Sequence, residues 1–361
     1  MHVIRLSVRR KAVFLAVTIA VLLMVCEGGL RLRAWLRYGV ASAAVRDPIL
    51  TLDRATGLHV PTPGYEVKGA KIHIKINSLG FRGPEFSRTK PPNTFRIVCL
   101  GASTTFAAEA SSNEATWPYL LQQRLQAANP NRRIEVINAA VSGYVASDSL
   151  QNLRHRVLPL DPDLVLYYEA NNEIVRDTQE LAASQGLLGA TGRRQPVWVS
   201  TLSRFSLMFD LAYKNLAIIA RSRAQSTVTM RKIPRELPKR FIGLLDTMRT
   251  ELAVRKVPML LSTFIVKYRR DQDRATQIAN ADVAFYYMPW MSIEGMLDAV
   301  DVYNDAILGY GKRAGLPVVD DRNAIPADAA HFADCMHLAD QGNAVMAERF
   351  SRFIQAHYKL S

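Results

Sequence analysis

Four short stretches carry residue types that can do chemistry together. "LGASTTF" places Ser103 just after an apolar run that stops at Gly101, "INAAVSGY" holds Gly143, "EANNEI" holds Asn171 and Asn172, and "DCMHLADQGN" sets Asp334 three residues before His337. A serine hydroxyl is a poor nucleophile until a base takes its proton, and neutral imidazole does so near pH 7. The imidazole in turn needs an acceptor on its other nitrogen, to fix the tautomer and stabilise the imidazolium, and a carboxylate one turn away supplies both. The oxyanion formed on attack needs donors. The Ser103 N–H at a helix start, the Gly143 N–H and an asparagine amide are available, and glycine lets the backbone approach a substrate without a Cβ in the way. Singly, each piece has an ordinary reading: Ser103 as a helix cap, Gly143 as a turn residue, the asparagines as a loop pair, His337 as a structural histidine. Their combination and order point to hydrolysis.

The elements that must position these residues are legible as apolar runs and helical spacings. Strands are expected at 95–100, in "RIEVINAA", in "DLVLYYEA", at 259–266 and at 316–319. Helices are expected at 116–128, 147–157, 239–255, 293–314 and 343–358, and Thr104 and Thr105 are expected to cap the helix after Ser103. Regular alternation with near-continuous apolar strands argues for a parallel sheet covered by helices on both faces. In such sheets the working residues collect at the carboxyl ends of the strands, where the four stretches fall. Residues 41–92 are rich in Pro and Gly. Ile72, Ile74 and Ile76 alternate there with polar residues as in a half-buried strand, and Leu79-Gly80 reads as a turn, so this is a lead-in segment packed on the main domain of 93–361. An apolar, helix-like insertion at about 176–238 interrupts the alternation. It reads first as a helical addition that completes the core, and otherwise as a cap over the active edge or a surface lying on a membrane.

Charge and the amino terminus bound the surroundings. The chain has 361 residues and a formal charge of +14; seven Lys/Arg and one Glu lie in residues 1–40, so +6 sits there and +8 remains elsewhere. That surplus suits an anionic neighbour such as lipid headgroups or an acidic polymer, or a generally basic solvated surface. No zinc spacing, basic heptad or aromatic RNA-binding signature accompanies it, and nucleic acid is not an expected partner. Arg5, Arg9, Arg10 and Lys11 precede an apolar stretch that runs from Ala12 to Leu30 with only Glu27 charged, enough to span a bilayer. No small-x-small cleavage site follows, which favours an uncleaved anchor with Glu27 paired to Arg31 one turn on. Residues 1–40 are thus read as a basic stub and a single transmembrane helix. Cys99 and Cys335 are either a disulfide or buried free thiols, and Cys26 lies in the anchor.

Taken together, "LGASTTF", "INAAVSGY", "PDLVLYYEANNEI" and "DCMHLADQGN" resemble the first, second, third and fifth blocks of the SGNH, or GDSL-type, hydrolase superfamily. The resemblance implies a flavodoxin-like three-layer α/β/α sandwich with a mainly parallel sheet. It assigns Ser103 as nucleophile, His337 as base and Asp334 as its orienting acid, with Ser103, Gly143 and Asn172 forming the oxyanion hole and no metal or other cofactor. Ala102 replaces the aspartate of Gly-Asp-Ser, and Ala170 and Glu173 replace the glycine and aspartate of Gly-x-Asn-Asp; none of these removes a catalytic group. The expected activity is a membrane-anchored serine esterase. Its partner would be an ester-bearing glycan or lipid of the cell envelope, and its catalytic domain would lie on the periplasmic side of a bacterial inner membrane. An O-acetyltransferase of an envelope polysaccharide using the same triad is the alternative, and a non-catalytic glycan-binding or assembly protein is the second.

Overall fold

The structure is a computed structural model and describes residues 7–38, 49–187, 197–223 and 229–360. Arg5, the first part of the lead-in segment and two stretches of the insertion lie outside the described residues. Helix α1 (Val8–Tyr38) comes first, then two small hairpins, β1 (Leu50–Asp53) with β2 (Leu58–Pro61) and β3 (Glu66–Lys68) with β4 (His73–Lys75). The main domain follows as β5 (Thr94–Gly101), α2 (Ser103–Phe106), α3 (Trp117–Ala128), β6 (Arg133–Asn138), α4 (Ala146–Asn152), β7 (Leu164–Tyr168) and α5 (Asn171–Ser184). Next come α6 (Val197–Phe205), α7 (Leu207–Arg223), α8 (Lys239–Val254), β8 (Met259–Ser262), α9 (Arg274–Asn280) and α10 (Asp282–Tyr287). Helix α11 (Ile293–Ala314), strand β9 (Val318–Val319) and helix α12 (Asp340–His357) complete it.

Five strands form one parallel sheet in the order β6-β5-β7-β8-β9. Every residue of β5 is buried, as a strand with neighbours on both edges and helices on both faces requires. Helices α3 and α12 pack together on one side, while α4, α5, α8 and α11 pack together on the other. The expected three-layer α/β/α sandwich is therefore present. Trp117 holds the α3/α12 layer to the sheet, with its ring edge-on to Tyr168 at 6.4 Å and tilted against Phe350 at 5.0 Å. The order of the sheet reverses at β5, so the carboxyl ends of β5, β6 and β7 open onto one crevice.

The structure departs from the sequence expectations in several places. The strand expected at 259–266 ends at Ser262, because β9 is only two residues long and offers no further ladder. Beyond it, the Asn304 side chain serves Phe264 instead, accepting from its N–H at 2.6 Å and donating to its carbonyl at 2.9 Å. The helix expected at 147–157 is α-helical only to Asn152; a π turn over Leu153–Val157 and a 3-10 turn over Leu158–Leu160, containing Pro159, complete it. The lead-in segment holds two hairpins where one strand was expected, and α9 and α10 occupy a stretch to which the sequence assigned nothing. Cys99 and Cys335 are both free and buried.

Candidate active site

Strand β5 stops at Gly101 for a steric reason. Its φ is +154°, and a Cβ there would lie 2.3 Å from the Tyr168 carbonyl oxygen and 2.4 Å from Thr105 Oγ1. Only glycine lets the end of β7 and the first turn of α2 close on this point. The hydroxyls that follow divide the work differently from expectation. Ala102 occupies the cap position and Ser103 is already the first residue of α2, so Thr104 and Thr105 fall inside the turn and cap nothing. Thr105 Oγ1 instead donates to the Tyr168 carbonyl at 2.6 Å, tying α2 to β7, and Thr104 is buried. Ser103 alone of the three is partly exposed to the crevice.

Its hydroxyl meets a side chain from the far end of the chain. Ser103 Oγ lies 2.8 Å from His337 Nε2, across a sequence separation of 234 residues. His337 Nδ1 lies 2.7 Å from Asp334 Oδ2. The carboxylate is fixed in turn, since its Oδ1 accepts the N–H groups of Met336 and His337, both at 2.8 Å. Burial pushes the Asp334 carboxyl up, but the His337 ring and these two donors outweigh it and hold the acid below its ordinary value. Asp334 is therefore ionised at neutral pH, the state that fixes Nδ1 as the protonated nitrogen and leaves Nε2 free to accept.

The three expected donors follow the carboxyl ends of β5, β6 and β7. The Ser103 N–H belongs to the first turn of α2, where no intrahelical partner exists. Gly143 sits in the turn after β6 with φ of +88° and open space where a Cβ would be, so its conformation rather than crowding calls for glycine. Asn172 lies in the first turn of α5 and donates one amide hydrogen to the Tyr144 carbonyl at 2.9 Å. That bond orients the amide beside Gly143 and leaves its second hydrogen for another acceptor. Asn171, by contrast, is buried. Two buried carboxyls support the loop. Glu169 accepts the Asn172 N–H at 2.5 Å, and Glu173 accepts the Ala146 N–H and pairs with Arg176. Burial, only partly offset by the Asn172 N–H, pushes Glu169 up to about 8. Burial likewise raises Glu173, against the Ala146 N–H and Arg176.

Two supporting features are not read from the sequence. Arg82, buried in the lead-in segment, donates to the carbonyls of Phe106 and Ala107 at 3.1 and 2.6 Å and to Asn113 Oδ1 at 3.0 Å. It closes the carboxyl end of α2, whose orphan carbonyls need donors. The "FRG" that carries it gives no hint, because its acceptors are three backbone carbonyls and one asparagine side chain, 24 to 31 residues away. A second Asp-x-x-His also lies close by, at Asp328 and His331, with His331 Nδ1 2.8 Å from Asp328 Oδ1. A separate cavity of about 510 Å³ lies beyond β8 and β9, lined by Phe264, Arg269, Asp301 and Arg322 among others and by none of Ser103, Gly143, Asn172, Asp334 and His337.

The profile of the GDSL-like Lipase/Acylhydrolase family matches residues 99–345, from within β5 into α12, and so includes every residue of the site. The chain belongs to this family. It is accordingly an ester hydrolase. Among solved structures, this acylhydrolase is similar to the lipase/acylhydrolase of Enterococcus faecalis, at 19% identity over 74% of this chain and 98% of that one, with a TM-score of 0.42. It is also similar to a catalytic mutant of an acetylxylan esterase from Geobacillus stearothermophilus, at 14% identity over 74% and 95%, TM-score 0.43. A GDSL-like lipase from Bacteroides thetaiotaomicron aligns at 12% identity over 73% and 89%, TM-score 0.41. No protein of curated function matches the acylhydrolase in sequence.

Proposed function

We propose that the acylhydrolase is a serine esterase working through an acyl-Ser103 intermediate, held at a membrane by α1. The observation that carries this reading is the 2.8 Å contact between Ser103 Oγ and His337 Nε2, made by residues that share no local structure. His337 Nε2 takes the Ser103 proton as Oγ attacks the ester carbonyl carbon, and Asp334 stabilises the imidazolium that results. The carbonyl oxygen becomes an oxyanion facing the Ser103 and Gly143 N–H groups and the free hydrogen of the Asn172 amide. His337 then gives its proton to the leaving alkoxide, the C–O bond to the alcohol breaks, and the acyl group remains on Ser103. Water, deprotonated by the same nitrogen, releases the acid and returns the proton to Oγ.

Helix α1 supports the setting. It contains a candidate span of 29 residues, Val8–Leu36, whose most apolar 18-residue stretch has mean hydropathy 2.3, and its apolar side chains are exposed. We read it as a retained single-pass anchor with the catalytic domain outside the cytoplasmic membrane, and the substrate as an ester of a cell-envelope glycan or lipid. The test is a fluorophosphonate probe on detergent-solubilised full-length protein, with p-nitrophenyl acetate turnover followed in parallel. The probe is expected to label the native chain and not Ser103→Ala, and a burst of nitrophenol is expected to precede steady turnover. Labelling that persists in Ser103→Ala, or none in the native protein, overturns the assignment. Protease accessibility in spheroplasts checks the topology, which fails if the catalytic domain is protected.

A further inference from the structure

The anchor is built into the folded domain through one carboxylate. Glu27 of α1 is paired with Arg31 at 2.6 Å, and it also accepts from the Ser206 hydroxyl at 2.9 Å and from the N–H groups of Leu207 and Met208 at 2.9 and 3.0 Å. Arg31 reaches the Phe205 carbonyl at 2.8 Å. A side chain of the span thus caps the start of α7, and the α6–α7 junction is fixed at the height of Glu27. Higher up the helix, the Leu36 carbonyl accepts the Ala70 N–H at 3.0 Å, so the hairpin segment holds the outer end as well.

The height of Glu27 follows from helix geometry. The apolar residues between Lys11 and Glu27 cover about 22 Å at 1.5 Å per residue, while a hydrocarbon core is about 30 Å thick. The layer must therefore take in Glu27 and the turn beyond it. A carboxylate at that depth needs an ion partner and hydrogen-bond donors, and Arg31, Ser206 and two helix N–H groups supply them. The groups that supply them lie at the same depth. The surface of this junction agrees. Trp198, Leu202 and Phe205, at i, i+4 and i+7 on one face of α6, are 59%, 44% and 71% exposed, and Leu216 and Ile219 of α7 are exposed as well. Trp35 near the outer end of α1 is exposed too, and Trp is a residue of membrane interfaces.

We propose that α6 and the start of α7 are a second membrane element, an in-plane amphipathic wedge whose apolar face enters the outer leaflet beside α1, with Glu27 setting its depth. The occupant of the exposed face is the phospholipid bilayer itself, continuous with the lipid around α1. The insertion then fixes the orientation of the catalytic domain to the membrane, which a single helix followed by a tether does not do. This rests on the anchor reading above and is independent of the catalytic assignment.

The test uses the full-length chain in bilayers of phosphatidylethanolamine with a minority of phosphatidylglycerol. Single cysteines at Val17→Cys, Leu202→Cys, Phe205→Cys and Lys312→Cys, each on Cys26→Ser, carry an environment-sensitive fluorophore; Cys99 and Cys335 are buried and their thiols pushed up by burial, so they stay unlabelled. The Leu202 and Phe205 positions are expected to be quenched by acyl-chain nitroxide lipid, like Val17, and to be quenched by aqueous iodide about fivefold less than Lys312. Adding Glu27→Ala is expected to cut the nitroxide quenching at Phe205 at least about twofold while leaving Val17 unchanged; no change there overturns the depth-setting role. If Val17 is quenched by lipid but Leu202 and Phe205 are as open to iodide as Lys312, the wedge is wrong and the anchor stands. Shielding of Leu202 and Phe205 from both quenchers means that protein, either a second copy or another chain, covers the face, and overturns the proposal. Failure of lipid to quench Val17 removes the anchor reading and the wedge with it.

Discussion

Residues 328–331 and 334–337 spell the same pattern, Asp-x-x-His, and fold into nearly the same turn. In each the histidine Nδ1 lies against the aspartate, at 2.8 Å for His331 and 2.7 Å for His337. In each the aspartate Oδ1 accepts two backbone N–H groups, from Ala330 and His331 in the first turn and from Met336 and His337 in the second. They differ in what lies outside the turn. The Asp328 side chain is 56% exposed and the Asp334 side chain 21%. His337 Nε2 faces Ser103, whereas the first turn holds the start of α12: the His331 carbonyl accepts the Ala339 N–H at 2.9 Å, and a Cβ on Gly342 would lie 2.1 Å from that oxygen. Spacing alone therefore makes an Asp–His pair. The sheet delivers a hydroxyl to the other nitrogen of His337, the arrangement that the proposed triad needs.

The pair of turns is an internal control. His337→Ala is expected to lower ester turnover by at least about 10⁴-fold, as for a member of a unit whose parts fail together. His331→Ala is expected to stay within about threefold of native turnover while losing about 1 kcal/mol of stability, read by denaturant midpoint. Comparable loss of turnover in both variants breaks the comparison. At the next level, Asp334→Asn is expected to cost about 10³- to 10⁴-fold in kcat, because the amide favours the wrong tautomer, and Asp328→Asn almost nothing. Asn172→Ala is expected to cost about 100-fold, the usual loss for one oxyanion donor, and Asn171→Ala much less; steady-state kinetics on p-nitrophenyl acetate ranks the two, and a reversed ranking moves the donor by one residue.

The smallest effect is on pH and separates the donor loop from both turns. Glu169 is raised from 4.5 to about 8, so between these values the folded chain keeps a proton that the unfolded chain releases. Stability contributed by this group is present at acid pH and falls as pH rises through that window. Glu173, also raised, adds to the same slope. Asp334 has the opposite sign, since its contribution fades as pH falls through its lowered folded value. Urea midpoints between pH 5 and 8.5 are expected to drop less steeply in Glu169→Gln than in the native acylhydrolase. An unchanged slope means that Glu169 does not hold its proton.

How much of this was legible in the sequence follows from how local each feature is. The apolar run of β5 announces a buried strand, and its halt at Gly101 announces a tight turn. Asp334 and His337 meet within one turn of chain, so their pairing is a property of four residues. What spacing cannot show is which Asp-x-x-His faces a serine, because that depends on how β5 and the start of α12 are brought together. Thr104 and Thr105 were misread because a cap is defined by where the helix begins, and the tight turn at Gly101 starts it one residue earlier than the hydroxyls suggest. Arg82 was illegible for a different reason. Most of its acceptors are backbone carbonyls, which have no residue identity and so leave no partner pattern to find.

The distance along the chain between Ser103 and His337 also bears on when the acylhydrolase first becomes reactive. A growing polypeptide emerges amino terminus first, and its early parts begin to fold before the rest exists. Strand β5 and helix α2, with Arg82 already behind them, are made well before the turn that holds His337. During that interval the Ser103 hydroxyl has no base beside it and is no better a nucleophile than any surface serine. On the proposed triad, every unfinished or prematurely released chain lacking the stretch from Asp334 to His337 is therefore expected to be inert toward esters. In that reading chemistry begins only when α12 has docked on α3, which makes completion of the fold the step that arms the enzyme.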